Sequence, residues 1–201
     1  MGGLWRHPAK YNRAMNWLRR FFGMKIEPTP ARASFDLGAS ESTGNAIYRG
    51  LSKEIAGPKG AKVRRILLES CAQTPLTASL PANVIDHIQA ESLMGNRSET
   101  IADDLAAMLP GVTPDQLETI ARTVIGKASA ALERVRAEDI DLHWYVWETC
   151  KDARVRKSHR KMHGVVVPWN SPPSPEKLIG EVEAGRYHAG EDAGCRCLSL
   201  P

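Results

Sequence analysis

Apolar residues recur every three or four positions between residues 46 and 140, which is the spacing of one buried face of an α-helix. The stripes predict four helices before residue 110. The first runs over 47–55 and ends at the Gly-Pro-Lys-Gly stretch 57–60. The others are expected over 63–71, over 82–93 and from Asn96, where a glutamate three residues on indicates a capping pair.

The next helix has the clearest boundaries in the chain. Thr113 is a favoured N-cap residue, Pro114 fits the first helical position and Gln116 completes a capping box. Apolar residues then hold one face for about five turns. Arg122 and Thr123 interrupt that face, and a surface ion pair of Arg122 with Glu118 is sufficient to explain the interruption.

After Asp141 the pattern changes to short aromatic and β-branched stretches, which predict strands over 143–147 and 165–169 and a last strand or extended segment over 195–200. Short helices are expected over 153–162 and 176–184, with Gly164 ending the first. The predicted fold is α+β and mainly α. Its four parts are a basic amphipathic helical arm (1–27), a linker (28–45), a helical block (46–140) and a small α+β module (141–201).

The net charge of +4 hides an uneven distribution. Residues 1–65 hold thirteen Lys and Arg against four Asp and Glu, residues 66–147 hold five against twelve, and residues 148–201 hold nine against seven. The three parts therefore carry net charges of +9, −7 and +2. A basic front of this kind predicts an anionic partner, which would be nucleic acid, an acidic protein face or a membrane surface.

The front begins with an arm in which cations are interleaved with aromatic residues. A helical apolar stripe over 9–22 leaves four roles open: nucleic-acid binding, membrane-surface binding, docking on a partner protein, or packing on its own domain. The residues that would contact DNA or a partner are Arg6, Lys10, Arg13, Trp17, Arg19, Arg20 and Phe21.

Composition excludes several classes of protein. Hydrophobic residues make up 42% and charged residues 25%, which argues against wholesale disorder. Runs of consecutive Val, Ile or Leu reach only three residues, as in Val165–Val167, so we expect no transmembrane helix and no secretory signal. Four cysteines are too few for a disulfide scaffold, and Cys195 and Cys197 are too close to bridge each other, which favours a reducing compartment.

The C-terminal module contains a candidate metal site. His159 and His163 would share one face of a helix, and Cys195 and Cys197 would point to one side of an extended segment. Together they would form a tetrahedral His₂Cys₂ set for a structural zinc ion. His188 and Cys150 are spare candidates. Alternatively, the histidines hydrogen-bond to carboxylates such as Asp152, and the cysteines are small buried apolar residues.

A second candidate cluster is basic. Asp152 is placed to cap the helix predicted over 153–162, where its oxygen would accept from free backbone amides. The cations around it would bind phosphate, pair with acids of the middle block, or simply form a solvated helix face. They are Arg154, Arg156, Arg160 and Lys161.

Several short motifs follow one another between residues 95 and 201. They are Ala-Arg-Thr, W-x-T, D-x-R-x-R-x-x-H followed by a glycine, and G-E-D-x-x-C-R-C close to a terminal proline. The residues concerned are Arg122, Trp147, Asp152, Arg154, Arg156, His159, Gly164, Cys195, Arg196 and Cys197. In order and spacing these motifs resemble the Mu F-like minor head proteins, a head-morphogenesis family of tailed phages.

The resemblance implies a structural virion component and not an enzyme. It implies assembly in the host cytoplasm and a final position in the capsid interior near the portal vertex. The portal protein is the implied partner, with packaged double-stranded DNA and the major capsid or scaffold protein as further candidates, and assistance in DNA ejection as a further role. The alternative function is a metal-dependent DNA-processing enzyme that uses the His/Cys cluster, with Asp152, Glu191 or Asp192 as the nearby acid or base.

Overall fold

The computed structural model describes residues 54, 55 and 57–201. The predicted arm, the linker and most of the helix predicted over 47–55 lie outside the described residues, as do all the candidate DNA- or partner-binding residues of the arm. Among the helices that are described, none is both long and apolar enough to cross a membrane.

Four helices form the larger part of the described fold. The helix expected over 63–71 begins earlier, at the stretch 57–60 that was expected to end the preceding helix, because Gly57 is the N-cap and Pro58 suits a first helical turn. A side chain at Gly60 would collide with the backbone of Ile55, so the preceding chain lies directly against this first turn. The helices are α1 (Pro58–Gln73), α2 (Ala82–Leu93), α3 (Ser98–Met108) and α4 (Pro114–Asp139).

The helix predicted over 82–93 is confirmed as α2, whereas the predicted start of α3 is wrong. Arg97 is the N-cap of α3 and no side chain caps it. Asn96 instead donates from Nδ2 to Glu91 Oε2 at 2.5 Å. Its side chain therefore closes the loop that follows α2 and is not free to cap the next helix.

Helix α4 connects the two parts of the fold. The predicted capping box is present, since the Gln116 backbone N–H donates to Thr113 Oγ1 and the Gln116 side chain accepts from the Thr113 N–H. Arg122 pairs with Glu118, as predicted. The 26 residues of α4 correspond to a length of about 39 Å. This length allows α4 to pack on α1, α2 and α3 and also to reach the C-terminal strand.

The C-terminal module contains one antiparallel sheet with the strand order β2-β1-β3. Val146 in the central strand lies opposite Val166 on one side and Leu200 on the other. The strands are β1 (Trp144–Glu148), β2 (Val166–Pro168) and β3 (Leu198–Leu200). The first two were predicted as strands in these places, and the strand or extended segment predicted over 195–200 is a paired strand only from Leu198.

Two short helices complete the module, and both are shorter than predicted. They are α5 (Lys157–Met162) and α6 (Pro175–Leu178), where helices over 153–162 and 176–184 were expected. Gly164 follows α5 with φ 78°, in agreement with its predicted role in ending that helix. The described fold is mainly α with a small α+β part, as the sequence predicts.

The described residues bury two apolar clusters. The first lies between the four helices and centres on Leu67, Ile88, Ile101, Leu105 and Val124. The second lies between the sheet, α5 and the C-terminal segment, and Ala137 near the end of α4 belongs to it. Because α4 contributes to both, it holds the helical block and the C-terminal module together. The second cluster includes Cys195 and Cys197, so the chemistry-bearing residues lie inside the module's core.

The charge asymmetry of the sequence is partly neutralised within the chain. Each described cation of the front third pairs with an acid of the middle third. The pairs are Lys59–Asp139, Lys62–Glu138, Arg64–Asp86 and Arg65–Glu69. The front third therefore offers an external partner less free positive charge than its net value of +9 suggests.

Candidate functional site

The fold brings the two predicted cysteines beside one of the predicted histidines. His159 lies in α5, and its ring contacts Trp147 of β1 edge-on, with the ring centroids 5.5 Å apart. Cys195 and Cys197 lie in the extended segment that leads into β3, where alternate side chains share a side. All four side chains are buried.

The imidazole and the two thiols form a compact cluster. His159 Nδ1 is 3.4 Å from Cys195 Sγ and 3.6 Å from Cys197 Sγ. One donor atom from each of the three residues lies within 4.8 Å of the others. The backbone N–H of Cys197 also donates to Cys195 Sγ, at 3.4 Å. A nitrogen and two sulfur donors at this spacing match the ligand types that zinc prefers in proteins.

The two thiols titrate as a coupled pair because their side chains hydrogen-bond to each other. That hydrogen bond, helped by His159, lowers the pKa of Cys195 to about 4. The same hydrogen bond, together with burial, raises the pKa of Cys197. The shared hydrogen bond thus favours the thiolate form of Cys195 over that of Cys197.

A chain of hydrogen bonds on the far side of His159 fixes the orientation of its ring. Its Nε2 is 3.0 Å from the Tyr187 hydroxyl, and that hydroxyl donates to Glu176 Oε1 at 2.7 Å. Glu176 Oε1 also accepts from Ser158 Oγ at 2.9 Å. Because the tyrosine proton is directed to the carboxylate, the tyrosine oxygen accepts from Nε2–H. The lone pair on His159 Nδ1 then points at the thiols.

His163 does not join the cluster, so the structure brings together three of the four predicted zinc ligands. The shared-face argument needs α5 to continue through residue 163, but the helix ends at Met162 and His163 has ψ 125°. His163 is 37% exposed and its Nδ1 lies 3.4 Å from Glu148 Oε2. Of the spare candidates, Cys150 lines the same small cavity as the cluster, whereas His188 lies elsewhere in the module.

Asp152 does not cap α5, because the helix begins later than predicted and Arg156 occupies the N-cap position. The Asp152 carboxylate accepts the backbone N–H of Arg154 at 3.0 Å in the loop before the helix, and it binds the Arg196 guanidinium through two hydrogen bonds of 2.6 and 2.8 Å. Arg196 lowers the pKa of Asp152 to about 2. This bidentate pair joins the loop after β1 to the segment before β3.

Arg156 makes a second connection between the same two segments. Its guanidinium binds the Asp192 carboxylate and the backbone carbonyl of Ala193. The Arg154 side chain is exposed and reaches Asp152 at 3.7 Å. Of the alternatives left open for these arginines, pairing with acids of the middle block is therefore wrong. Arg154 finds its partner within its own loop, whereas the partners of Arg156 come from the C-terminal segment, because pairing of β1 with β3 places the two segments side by side.

Two residues of α4 hold the C-terminal motif, and sequence reasoning missed both. Thr123 is fully buried, and its Oγ1 donates to the Thr119 carbonyl at 2.6 Å and accepts the Gly194 N–H at 2.9 Å. Gly126 lies directly against Gly190, whose φ is +89°. The sequence did contain a signal for Thr123, because this polar residue lies on the apolar stripe of α4, where a buried hydroxyl needs a hydrogen-bond partner.

His188 forms a separate buried network beneath the sheet. The Tyr145 hydroxyl lies 3.2 Å from His188 Nδ1 and accepts the Ala189 N–H at 3.1 Å. The ring also hydrogen-bonds to the backbone of Trp169. Burial lowers the pKa of His188, an effect opposed by Glu191 and reinforced by Arg134. The network therefore favours a neutral imidazole that accepts from the tyrosine.

This lowered pKa makes stability fall on mild acidification. In the unfolded chain His188 titrates near pH 6.5, and in the folded chain it titrates lower, so the unfolded state binds the proton first. The stabilisation is complete above about pH 6.5 and is lost as the pH falls below that value, by at most about 1.4 kcal/mol per pH unit. Urea unfolding between pH 5 and 8 should show a steeper loss for wild type than for His188→Gln.

Above about pH 7.5 the two proteins should show parallel stability curves, because His188 is then neutral in both states. Equal slopes below pH 6.5 would contradict the assigned role of His188.

The outer face of the sheet is apolar and exposed, a feature that the sequence analysis did not identify. Strand alternation buries Tyr145 and Trp147 on the inner face and places Trp144 and Val146 on the outer face. The neighbouring strands contribute further apolar side chains to that face, and together they form what we name the outer sheet face: Trp144, Val146, Val166, Leu198 and Leu200. An exposed apolar patch of this kind is typical of a protein-protein contact.

Comparison with known proteins identifies the family. A family model described as Phage Mu protein F like protein matches residues 83–200, which is more than half of the chain. The chain belongs to this family, which confirms the resemblance to Mu F-like head-morphogenesis proteins. An uncharacterized protein of Haemophilus influenzae is 29% identical over 129 residues, which cover 63% of this chain and 27% of that relative. The chain thus spans about a quarter of the relative's length, and no solved structure matches it.

Proposed function

We propose that this protein is a minor head protein that associates with the portal protein inside the phage capsid. The observation that carries the proposal is the outer sheet face, because it lies entirely within the segment that matches the family. Both strands that flank β1 add apolar side chains to it, so the face is a surface formed by the whole sheet.

The physical argument rests on the cost of exposing this face. Apolar surface that stays in water loses about 25 cal/mol per Å² of the stabilisation that burial would provide. Trp144 is 54% exposed and Val166 is 62% exposed, although each sits on a paired strand with a fully formed inner core behind it. A partner that covers the face would recover that stabilisation. In an assembling phage head, the portal protein is the partner that the family resemblance supplies.

The basic arm supports a second contact, with packaged DNA. Six Lys and Arg and no acid occur in the first 25 residues, and these cations have aromatic neighbours. Cations that contact phosphates make binding strongly dependent on salt. Through such contacts the arm would hold the DNA, and the protein would leave with it at ejection.

Purified virions and procapsids test the location. Quantitative mass spectrometry should find this protein at low abundance relative to the major capsid protein. Its absence from both kinds of particle would refute the proposal.

A matched pair of exposed valines tests the surface. Val166→Glu places a charge on the outer sheet face, whereas Val182→Glu places one at a valine that is 92% exposed and outside the sheet. Both changes should alter the free energy of unfolding by less than about 0.5 kcal/mol. We expect Val166→Glu to weaken binding to purified portal protein at least about tenfold, because the charge would be buried without a partner. Val182→Glu should bind like wild type.

Equal portal binding by the two variants would contradict docking through this face. The comparisons give no support to the alternative of a metal-dependent DNA-processing enzyme. A nuclease assay with added divalent ions is its direct test, and cleavage that is lost in His159→Ala would establish it.

A further inference from the structure

The buried cluster of His159, Cys195 and Cys197 has features that the head-assembly function does not require. Three donor atoms from two separate segments of the chain lie within 4.8 Å of one another inside an apolar core. A buried imidazole needs hydrogen-bond partners or a metal ion, and both thiols lie on the side of the ring that has no other partner. The cluster also opens onto a cavity of about 30 Å³.

We propose that His159, Cys195 and Cys197 bind a structural zinc ion and that Cys150 is its fourth ligand. The donor set is then Cys₃His, a common composition of structural zinc sites. With four protein ligands the ion has no open position for water, so the site stabilises the fold and performs no hydrolysis.

The surroundings of His159 support metal binding through Nδ1. Metal-binding histidines usually donate their other ring N–H to a carboxylate, a carbonyl or a water molecule, which fixes the tautomer. Here Nε2 is held by the Tyr187 hydroxyl, which in turn is held by Glu176. The result is a ring whose free lone pair faces both sulfur atoms at 3.4 and 3.6 Å.

Trp147 provides a second indication. Its indole N–H is buried and has no hydrogen-bond partner among the described residues, and its ring packs edge-on against the ring of His159. A buried N–H without a partner is costly unless a negative group comes near it. A thiolate held by a metal ion would supply that negative group permanently.

Cys150 is the best-placed fourth ligand. It follows β1 by two residues and lines the same cavity as the three buried ligands. Its side chain is exposed, so core packing does not hold the thiol itself in place. His163, the fourth ligand expected from the sequence, is held by Glu148. The zinc ion would thus link the loop after β1, helix α5 and the segment before β3.

Metal analysis of the full-length protein tests the site. After expression with zinc and removal of loosely bound ions, we expect about one zinc ion per chain. The Cys195→Ser/Cys197→Ser double variant should retain none, whereas Cys71→Ala, which removes a buried cysteine of the helical block, should retain one. Wild-type protein without stoichiometric zinc, or a double variant that still binds one ion, would overturn the proposal.

Cobalt substitution tests the fourth ligand without disturbing the core. Co²⁺ in a tetrahedral site shows a sulfur-to-metal charge-transfer band whose intensity grows with the number of thiolates. The exposed Cys150→Ser variant should fold normally, lose about a third of that band, and bind zinc at least about tenfold more weakly in competition with a chelator. His163→Gln should leave both readouts unchanged. An unchanged band in Cys150→Ser would overturn the assignment of Cys150.

Tyr187→Phe tests the positioning of His159, since it removes only the hydroxyl that holds Nε2. Zinc affinity should fall about 10- to 100-fold while the charge-transfer band keeps its intensity, because all four ligands remain. Wild-type zinc affinity in this variant would show that the hydrogen-bond chain does not position the ligand.

Discussion

Replacing Trp147 with alanine should lower the free energy of unfolding by about 3–5 kcal/mol. The indole is fully buried at the centre of the second core, where it contacts the rings of His159 and Tyr187. Its loss removes the transfer free energy of a large side chain and leaves a cavity beneath three strands that are too short to close around it. Urea unfolding of the two proteins, with a chelator present so that bound metal does not contribute, measures the difference.

Trp144→Ala is the matched control, because both tryptophans lie on β1 three residues apart. Trp144 is on the outer sheet face and 54% exposed, so its removal should cost less than about 1 kcal/mol. The comparison separates loss of a core side chain from loss of aromatic β-propensity in the strand. Similar costs for the two variants would mean that the inner face is not the core that holds the module together.

The helical block was predicted well because the signals that define a helix, its capping residues and its apolar stripe, lie close together in the sequence. The capping box of α4 needs only Thr113 and Gln116, three residues apart, and both hydrogen bonds are present. The apolar stripe of α4 likewise identifies its buried face, since 3.6 residues per turn fixes which residues share a side. The start of α1 was predicted too late, because Gly and Pro occur both after helix ends and at helix starts, and here Gly57 is the N-cap of α1.

For the candidate site, only the features that depend on the geometry of a single segment were predicted correctly. The alternation of an extended segment placed Cys195 and Cys197 on one side correctly. The partnership of His159 with His163 failed because α5 ends at Met162, a boundary that depends on the turn at Gly164. Asp152 accepts a local backbone N–H, as predicted, but from Arg154 in the loop before α5 and not from the helix itself. Its bond to Arg196 was not predicted, because only the pairing of β1 with β3 brings Arg196 beside it.

The motifs of the C-terminal region have a common structural meaning that no single motif shows. The D-x-R-x-R-x-x-H loop and the G-E-D-x-x-C-R-C segment bind each other residue by residue. The pairs are Asp152 with Arg196, Arg156 with Asp192, and His159 with both cysteines. The residues of each motif are spaced so that they meet their partners in the other segment. This explains why neither motif, taken alone, predicted the partners of its arginines and its aspartate.

Replacing Gly126 with alanine should destabilise the protein by about 2–3 kcal/mol, although the same change in the interior of most helices stabilises by up to about 1 kcal/mol. The reason is that α4 meets the C-terminal segment backbone to backbone. A Cβ at Gly126 would lie inside contact distance of the Gly190 carbonyl oxygen, and no flexible side chain is available to move away. The hydrogen bond between Thr123 and Gly194 holds the C-terminal segment against α4 close to the same point. To make room for the Cβ, the segment would therefore have to move away from α4 over several residues.

Ser129→Ala is the control on the same helix, since residue 129 is exposed and gains helix propensity without meeting a neighbour. It should be neutral or slightly stabilising, so the two alanine variants should differ in sign. Thermal and urea unfolding measure the sign, and zinc affinity measured alongside should fall for Gly126→Ala alone, because the displaced segment carries Cys195 and Cys197. A stabilising Gly126→Ala would mean that α4 does not position the C-terminal motif, and that the order of the cluster comes from the sheet and the two arginine pairs.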